Sequence, residues 1–287
     1  MNEELKINGR AIYTTKGAAR EYGRVGCNFY KGCPHGCEYC YLKRGVPSKQ
    51  LGGNEAVLKK CFKDEEDARQ VFIRETLKHL DYLRQTGVFF SFTTDPLIPE
   101  TWELTKFAAV FANHHGIPVK ILTKNAGFFY NPTVVDYFMA PDVEREDITF
   151  GFTLTGRDDM EPNASTNMER INAMKHLHGL GFKTFASIEP VIDWQRAQAV
   201  ISLSVDHCDH YKIGLRSGVK KDYYNLVQSG DSLQRIVGFI IERSKTVYLK
   251  ESTRKLLRCF LVPDGYEAFM SYTVDMDGKP YKKQDKQ

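Results

Sequence analysis

No stretch of this chain approaches the roughly 18 consecutive apolar residues that a membrane-spanning helix requires, so no bilayer segment is expected. A strong excess of either charge is also missing, with 40 Lys and Arg against 36 Asp and Glu. A formal net charge of +4 permits a nucleic-acid partner without arguing for one. No apolar secretory segment stands at the start, and seven cysteines are an odd number, so a disulfide framework is not expected. A second cysteine pair with metal-ligand spacing is missing too, which argues against a closed structural zinc site. There is no internal repeat, and no linker is long enough to separate domains. The 287 residues, 42% of them hydrophobic, suffice for one large α/β domain or two small ones.

What the chain does have is the run GCPHGCEYCY, in which Cys33, Cys37 and Cys40 form a C-x3-C-x2-C pattern. Wrapped by Gly32, Pro34 and Gly36, three thiolates this close in sequence can face one small pocket. Thiolates select zinc, copper(I) or iron–sulfur clusters. A centre with three protein ligands keeps a position open, and an open position is where chemistry occurs. Iron–sulfur clusters are ordinarily held by four cysteines, so three would leave one iron free for a small molecule. The same residues allow another reading: a zinc-binding, nucleic-acid-interacting module with His35 as fourth ligand. Cys27, Cys61, Cys208 and Cys259 stand alone in apolar settings, where a cysteine is by default a small core residue.

Beyond the loop, strand-like and helix-like segments alternate. A first strand over 25–30 leads into the cysteines. A helix over 64–85 carries Phe72, Leu77, Leu80 and Leu83 on its apolar side and stops at Gly87. Strands follow over 88–93, 118–123, 148–155, 183–188 and 209–213. Helices lie between them over 100–114, over 132–139, after the capping box Thr166/Glu169, and from about Asp193. Such alternation implies parallel βαβ units. Six units are too few for a closed eight-stranded barrel, so the expected fold is α/β, a partial (β/α)6 TIM-like barrel. The expected layout is an N-terminal extension over 1–24, the barrel over 25–250, and a small C-terminal cap or hairpin with a disordered basic tail over 251–287.

Active sites of such barrels lie at the carboxyl ends of the strands, where the cysteine loop falls. Other strand ends offer Thr93, Thr94 and Asp95 after strand two, Lys124 after strand three, Thr153 and Thr155 on strand four, and Glu189 after strand five. Each has a plain alternative. Asp95-Pro96 could be an ordinary turn, Lys124 could reach for water, the threonines could simply favour a strand, and Glu189 could sit in a structural ion pair.

The pattern CxxxCx(aromatic)C, with Tyr39 before the third cysteine, resembles the radical S-adenosylmethionine (SAM) enzymes. The runs KGAAREY (16–22) and CNFYKGC (27–33), the strand ends TTDP (93–96) and TK (123–124), and Glu161-Pro162 followed by Arg170 and the helix to Gly181 narrow the likeness. Together they resemble the spore photoproduct lyase branch, over residues 10–215. The resemblance implies a 4Fe–4S cluster on Cys33, Cys37 and Cys40, with SAM on the open iron. It also implies that Thr94 contacts SAM, Lys124 meets its carboxylate and Tyr39 packs on the adenine side. A one-electron donor such as flavodoxin or ferredoxin would reduce the cluster. The resulting 5′-deoxyadenosyl radical would take a hydrogen atom from an unidentified substrate, with nucleic acid one candidate. Such an oxygen-sensitive centre with reduced thiols is expected in the cytoplasm. Two departures stand out. Phe92 occupies the position of the hydrogen-donating cysteine of spore photoproduct lyases, so thymine-dimer repair is not expected. The GxIxGxxE element of strand five is replaced by Phe185-Ala186-Ser187-Ile188-Glu189-Pro190.

Overall fold

A computed structural model describes residues 5–45, 48–220, 222–275 and 277–281. Among these the strands are β1 (Ile12–Thr14), β2 (Val25–Cys27), β3 (Tyr30–Lys31), β4 (Val57–Leu58), β5 (Val88–Phe90), β6 (Val119–Thr123), β7 (Ile148–Thr153), β8 (Lys183–Val191), β9 (His210–Leu215) and β10 (Thr246–Leu249). The helices are α1 (Ser48–Leu51), α2 (Glu65–Lys78), α3 (Leu80–Thr86), α4 (Trp102–His114), α5 (Pro132–Phe138), α6 (Asn167–Gly179), α7 (Trp194–Ser204), α8 (Leu226–Glu242), α9 (Glu251–Phe260) and α10 (Pro263–Met270).

Eight strands make one sheet in the order β1-β2-β5-β6-β7-β8-β9-β10. From β2 to β10 every neighbouring pair is parallel, and β1 runs antiparallel to β2 at one edge. The central strands read as near-continuous apolar runs, as strands covered on both faces must. Phe89, Phe90, Val119, Ile121, Phe150, Phe152, Ala186 and Ile188 are all buried. The result is the curled, incompletely closed parallel sheet expected of a partial TIM-like barrel. Helix starts are written in the sequence: Asp64, Asn131, Asp193 and Asn225 each accept an amide from the first turn, and Thr166 with Glu169 completes its capping box.

The fold departs from the sequence reading in several places. The helix expected over 64–85 is two helices broken at His79, whose φ of −117° and ψ of 24° leave the helical region. The break shifts the faces, and Leu77 is 47% exposed rather than on the core side. Gly87 does end the second helix, at φ +68°. The strand expected over 25–30 splits: β2 stays in the main sheet, and β3 turns away to pair with β4. Strands β5 and β7 end at Phe90 and Thr153, each a few residues early. Past residue 245 the alternation continues. β10 joins β9 as a seventh parallel strand, and 251–270 form α9 and α10 where a hairpin was one expectation. The Asp277-Gly278 turn forms below a Val274–Pro280 bridge, while 282–287 of the expected tail lie outside the described residues. Cys27 and Cys208 are buried as expected. Cys61 and Cys259 are exposed, because Cys61 lies in the turn before α2 and α9 turns chiefly Thr253 and Leu257 inward.

Candidate active site

The carboxyl ends of the parallel strands surround a cavity of about 560 Å³. Cys33, Cys37 and Cys40 form one wall of it with Tyr39, and Thr93, Thr94, Asp95, Lys124, Thr153 and Glu189 line it from successive strand ends. Thr155 does not. Because β7 has already ended, its Oγ1 turns away to accept the Arg157 amide at 3.2 Å, and its own amide donates to Asn167.

Local backbone demands build the cysteine loop. Gly32 adopts φ +81°, and a Cβ there would lie 2.2 Å from the Glu55 carbonyl oxygen, so only glycine fits. The Cys33 amide donates to the Gly53 carbonyl at 3.0 Å. His35 then ties the loop to the barrel: its Nδ1 lies 3.1 Å from the Asn163 carbonyl and its Nε2 2.8 Å from Asp95. Asp95 is a bracket. Its carboxylate also accepts the Thr123 hydroxyl at 2.7 Å and the Lys124 and Leu97 amides at 2.7 and 3.0 Å. Burial acts to raise its pKa, but these donors, led by His35, hold it below the usual 3.8. Thr93 is likewise engaged, donating to the Tyr30 carbonyl at 2.6 Å.

A second buried network holds the loop from behind. Tyr39 donates its hydroxyl to Glu161, whose other oxygen receives Arg170. The Arg170 side chain is completely buried and also donates to the Thr153 and Ser165 carbonyls, at 2.5 and 2.8 Å. Helix α6 thereby fixes both the aromatic of the cysteine motif and the end of β7. Across the cavity, Tyr22 donates to Glu189 at 2.5 Å and lies 2.7 Å from the Ser187 hydroxyl, while Lys250 donates to Glu189 at 2.6 Å. Glu189 thus sits in an ion pair and also faces the cavity.

Three observations bear on what the site can hold. Burial pushes the Cys33 thiol up to about 12, with the Asp95 charge adding to it, and burial likewise raises Cys37 against the pull of Lys124. Thiolates here therefore need a bound cation to neutralise them. The Thr94 Oγ1 is buried without a hydrogen-bond partner. The Lys124 ammonium forms no ion pair among the described residues and rests 5.5 Å from the Tyr39 ring centroid. An unmatched hydroxyl and an unneutralised cation beside three thiols fit a polar, carboxylate-bearing ligand next to a thiolate-held centre. The zinc tetrahedron fares worse. Both His35 ring nitrogens are already engaged, and no three His, Cys, Asp or Glu side chains among the described residues converge on one ion. A cluster makes no such demand, since its cysteines bind separate irons.

Glu161, Arg170, Tyr22, Ser187 and Lys250 were not among the expected site residues. The first two lay in plain view as the Glu161-Pro162…Arg170 run. The others meet only through the fold, with Tyr22 and Glu189 being 167 positions apart.

No protein-family model and no curated protein matches the sequence. Solved structures do share the fold. A spore photoproduct lyase variant with bound AdoMet and dinucleoside spore photoproduct superposes with a TM-score of 0.54 at 15% identity, covering 80% of this chain and 63% of that one. Another lyase variant gives 0.59 at 14%, covering 83% and 80%. Streptococcus suis SuiB bound to S-adenosylmethionine gives 0.54 at 12%, covering 85% and 55%. The chain therefore spans 63% of the first lyase structure and 55% of SuiB. It has the fold of the radical SAM enzymes. The solved structures that share this fold include spore photoproduct lyase and SuiB.

Proposed function

We propose that this chain is a radical SAM enzyme, holding a 4Fe–4S cluster on Cys33, Cys37 and Cys40 and SAM beside it. The observation that carries the reading is the convergence of these three thiols with the unpartnered Thr94 hydroxyl and the unneutralised Lys124 in one strand-end cavity. When bound, cluster and SAM together supply a one-electron reductive cleavage whose carbon radical removes a hydrogen atom from the substrate.

The chain's own groups bind, orient and exclude water. Lys124 offers a cation to the SAM carboxylate, and Thr94 offers a hydroxyl with no competing partner. Tyr39 presents its ring to the cavity, its hydroxyl anchored on Glu161. Glu189, braced by Tyr22 and Lys250, and Thr153 are the candidate ribose contacts. Phe89 and Phe92, stacked 4.5 Å apart, make the wall apolar, which keeps water from a reactive radical. Among the described residues the three loop thiols are the cavity's cysteines, so hydrogen return by a further cysteine is not part of the proposal. Flavodoxin or ferredoxin is the proposed electron donor and the cytoplasm the proposed compartment; no helix of the described residues is long and apolar enough to cross a membrane.

Anaerobic reconstitution with iron and sulfide tests this. The expected result is a brown protein that converts SAM to 5′-deoxyadenosine under a strong reductant, with Cys37→Ala colourless and inactive. Stoichiometric zinc in a colourless wild type, or SAM cleavage surviving in Cys37→Ala, sinks the reading. Running the assay with damaged DNA and with peptide addresses the two ligand classes seen in the neighbours, a dinucleoside photoproduct and a precursor peptide.

A further inference from the structure

We propose that an outer lobe beside the cysteine cavity grips an oxyanion of the substrate, a phosphate or a carboxylate, through the guanidinium groups of Arg44 and Arg216. The proposal rests on the enzymatic reading above and names the chemistry of its substrate.

The lobe is a shallow, open depression of about 610 Å³ lined by Arg44, Arg216, Lys220, Asp222 and Tyr223, three cations against one carboxylate among the described residues. Arg216 lines this lobe and the inner cavity alike, so the two spaces are neighbours. Neither arginine is neutralised: no ion pair involves either among the described residues. Among the described residues Arg44 donates to backbone carbonyls, those of Ser217 and Glu38, each at 3.2 Å. The Arg216 Nε is buried and has no acceptor among the described residues, and its guanidinium carbon stands 5.9 Å from the Tyr223 ring centroid. Buried polar donors are almost always satisfied, so an orphaned guanidinium nitrogen on a cavity wall marks a place for an acceptor. Planar guanidinium forks match the paired oxygens of carboxylate and phosphate, which a lysine cannot do.

Space supports the same division. An inner cavity of about 560 Å³ has the size that holds one small ligand, and SAM is such a ligand. The bulk of a substrate then belongs in the outer lobe, with only its reacting carbon passing Arg216. Arg44 lines the outer lobe. By donating to Glu38 in the cysteine loop and to Ser217 after β9, it joins the two loops that frame the opening. An anion bound there would lie between the loop that holds the cluster and the loop that frames the substrate.

Calorimetry on the anaerobically reconstituted protein at low salt tests this, with inorganic pyrophosphate and succinate as probes. At least one should bind with one-to-one stoichiometry and weaken as potassium chloride is added. The stronger probe tells phosphate from carboxylate recognition. Arg216→Gln and Arg44→Gln should each lose at least tenfold in affinity, whereas Lys220→Gln on the rim should lose much less. Should Arg216→Gln fail to fold, the arginine Nε resonances of wild-type protein serve instead, and pyrophosphate should shift them. Binding of neither probe, or equal affinity in wild type and both arginine variants, overturns the proposal. SAM binding measured on the same samples separates the two ideas. Intact SAM binding without oxyanion binding defeats only the outer subsite, and absent SAM binding defeats the enzymatic reading.

Discussion

Lys212 is nearly inaccessible, at 2% exposure, yet it stands between the rings of Tyr22 and Tyr248 and donates to the Glu21 carbonyl at 2.6 Å. Burial, with help from the Lys120 and Lys250 charges, lowers its pKa from 10.5 to about 7. The unfolded chain therefore binds the more protons between those two values, and the linkage sign makes stability rise with pH across that window. Below about pH 7 both states carry the charge, and the folded state bears its full penalty. We expect the wild type to gain stability relative to Lys212→Met between pH 7 and 9, by at most about 1.4 kcal/mol per pH unit. Parallel urea titrations of the two proteins check it, and a flat difference refutes it. Legibility at this scale followed local pattern. Thr94 and Lys124 could be picked out because each is polar at the end of a buried apolar run. Asp95 was picked out too, but it serves as a bracket, because the sequence does not reveal that His35, Thr123 and two amides converge on it. Thr155 was misplaced by the simple fact that its strand stops two residues earlier.

The elements that carry the cysteines are held by pieces far away in the chain, and these are the vulnerable points. Arg170 on α6 is wholly buried against Glu161, itself raised in pKa by burial despite that partner. Removing one member of a buried, hydrogen-bonded ion pair strands the other, so Arg170→Ala should cost about 3–5 kcal/mol. Denaturant unfolding measures it. Gly32→Ala acts more locally. It combines a left-handed backbone with a contact of 2.2 Å to the Glu55 carbonyl oxygen, so the loop must move. The expected outcome is loss of reconstituted iron with the far-UV circular dichroism unchanged; full iron content in the variant would contradict the assigned loop geometry. Strand and helix identities were readable from period and caps, as Thr166 with Glu169 shows. The break at His79 was not readable, because Phe72, Leu80 and Leu83 keep a plausible helical stripe across it and only Leu77 betrays the shift. Strand β10 was missed for a related reason: four residues framed by helices resemble the start of a cap until a neighbour pairs with them.

For the molecule as a whole, the sheet leaves β1 and β10 at opposite edges, and the gap between them is closed by side chains instead of strand pairing. Glu21 is central to that closure. Its carboxylate accepts the Tyr248 hydroxyl at 3.0 Å and the Glu251 amide at 2.8 Å and lies 3.5 Å from Lys250, while its carbonyl takes Lys212. Lower down, Arg24 pairs with Asp277 at 2.5 Å. Glu21→Ala should speed hydrogen exchange at the Glu251 amide at least tenfold while leaving the amides of β6 and β7 unchanged. Uniform acceleration across the sheet would show that the residue supports global stability rather than this seam. The curled parallel sheet could be foreseen from strand–helix alternation, but the seam could not, since its partners lie 191 to 230 positions apart.

A practical corollary concerns trimming. A version beginning at residue 25 would retain every thiol and every parallel strand, so by composition it would look complete. It would nonetheless lack Tyr22, which braces Glu189, and Glu21, which stitches the first edge to the last. Its strand-end cavity would lose the side panel that Tyr22 supplies and lie open to bulk solvent there.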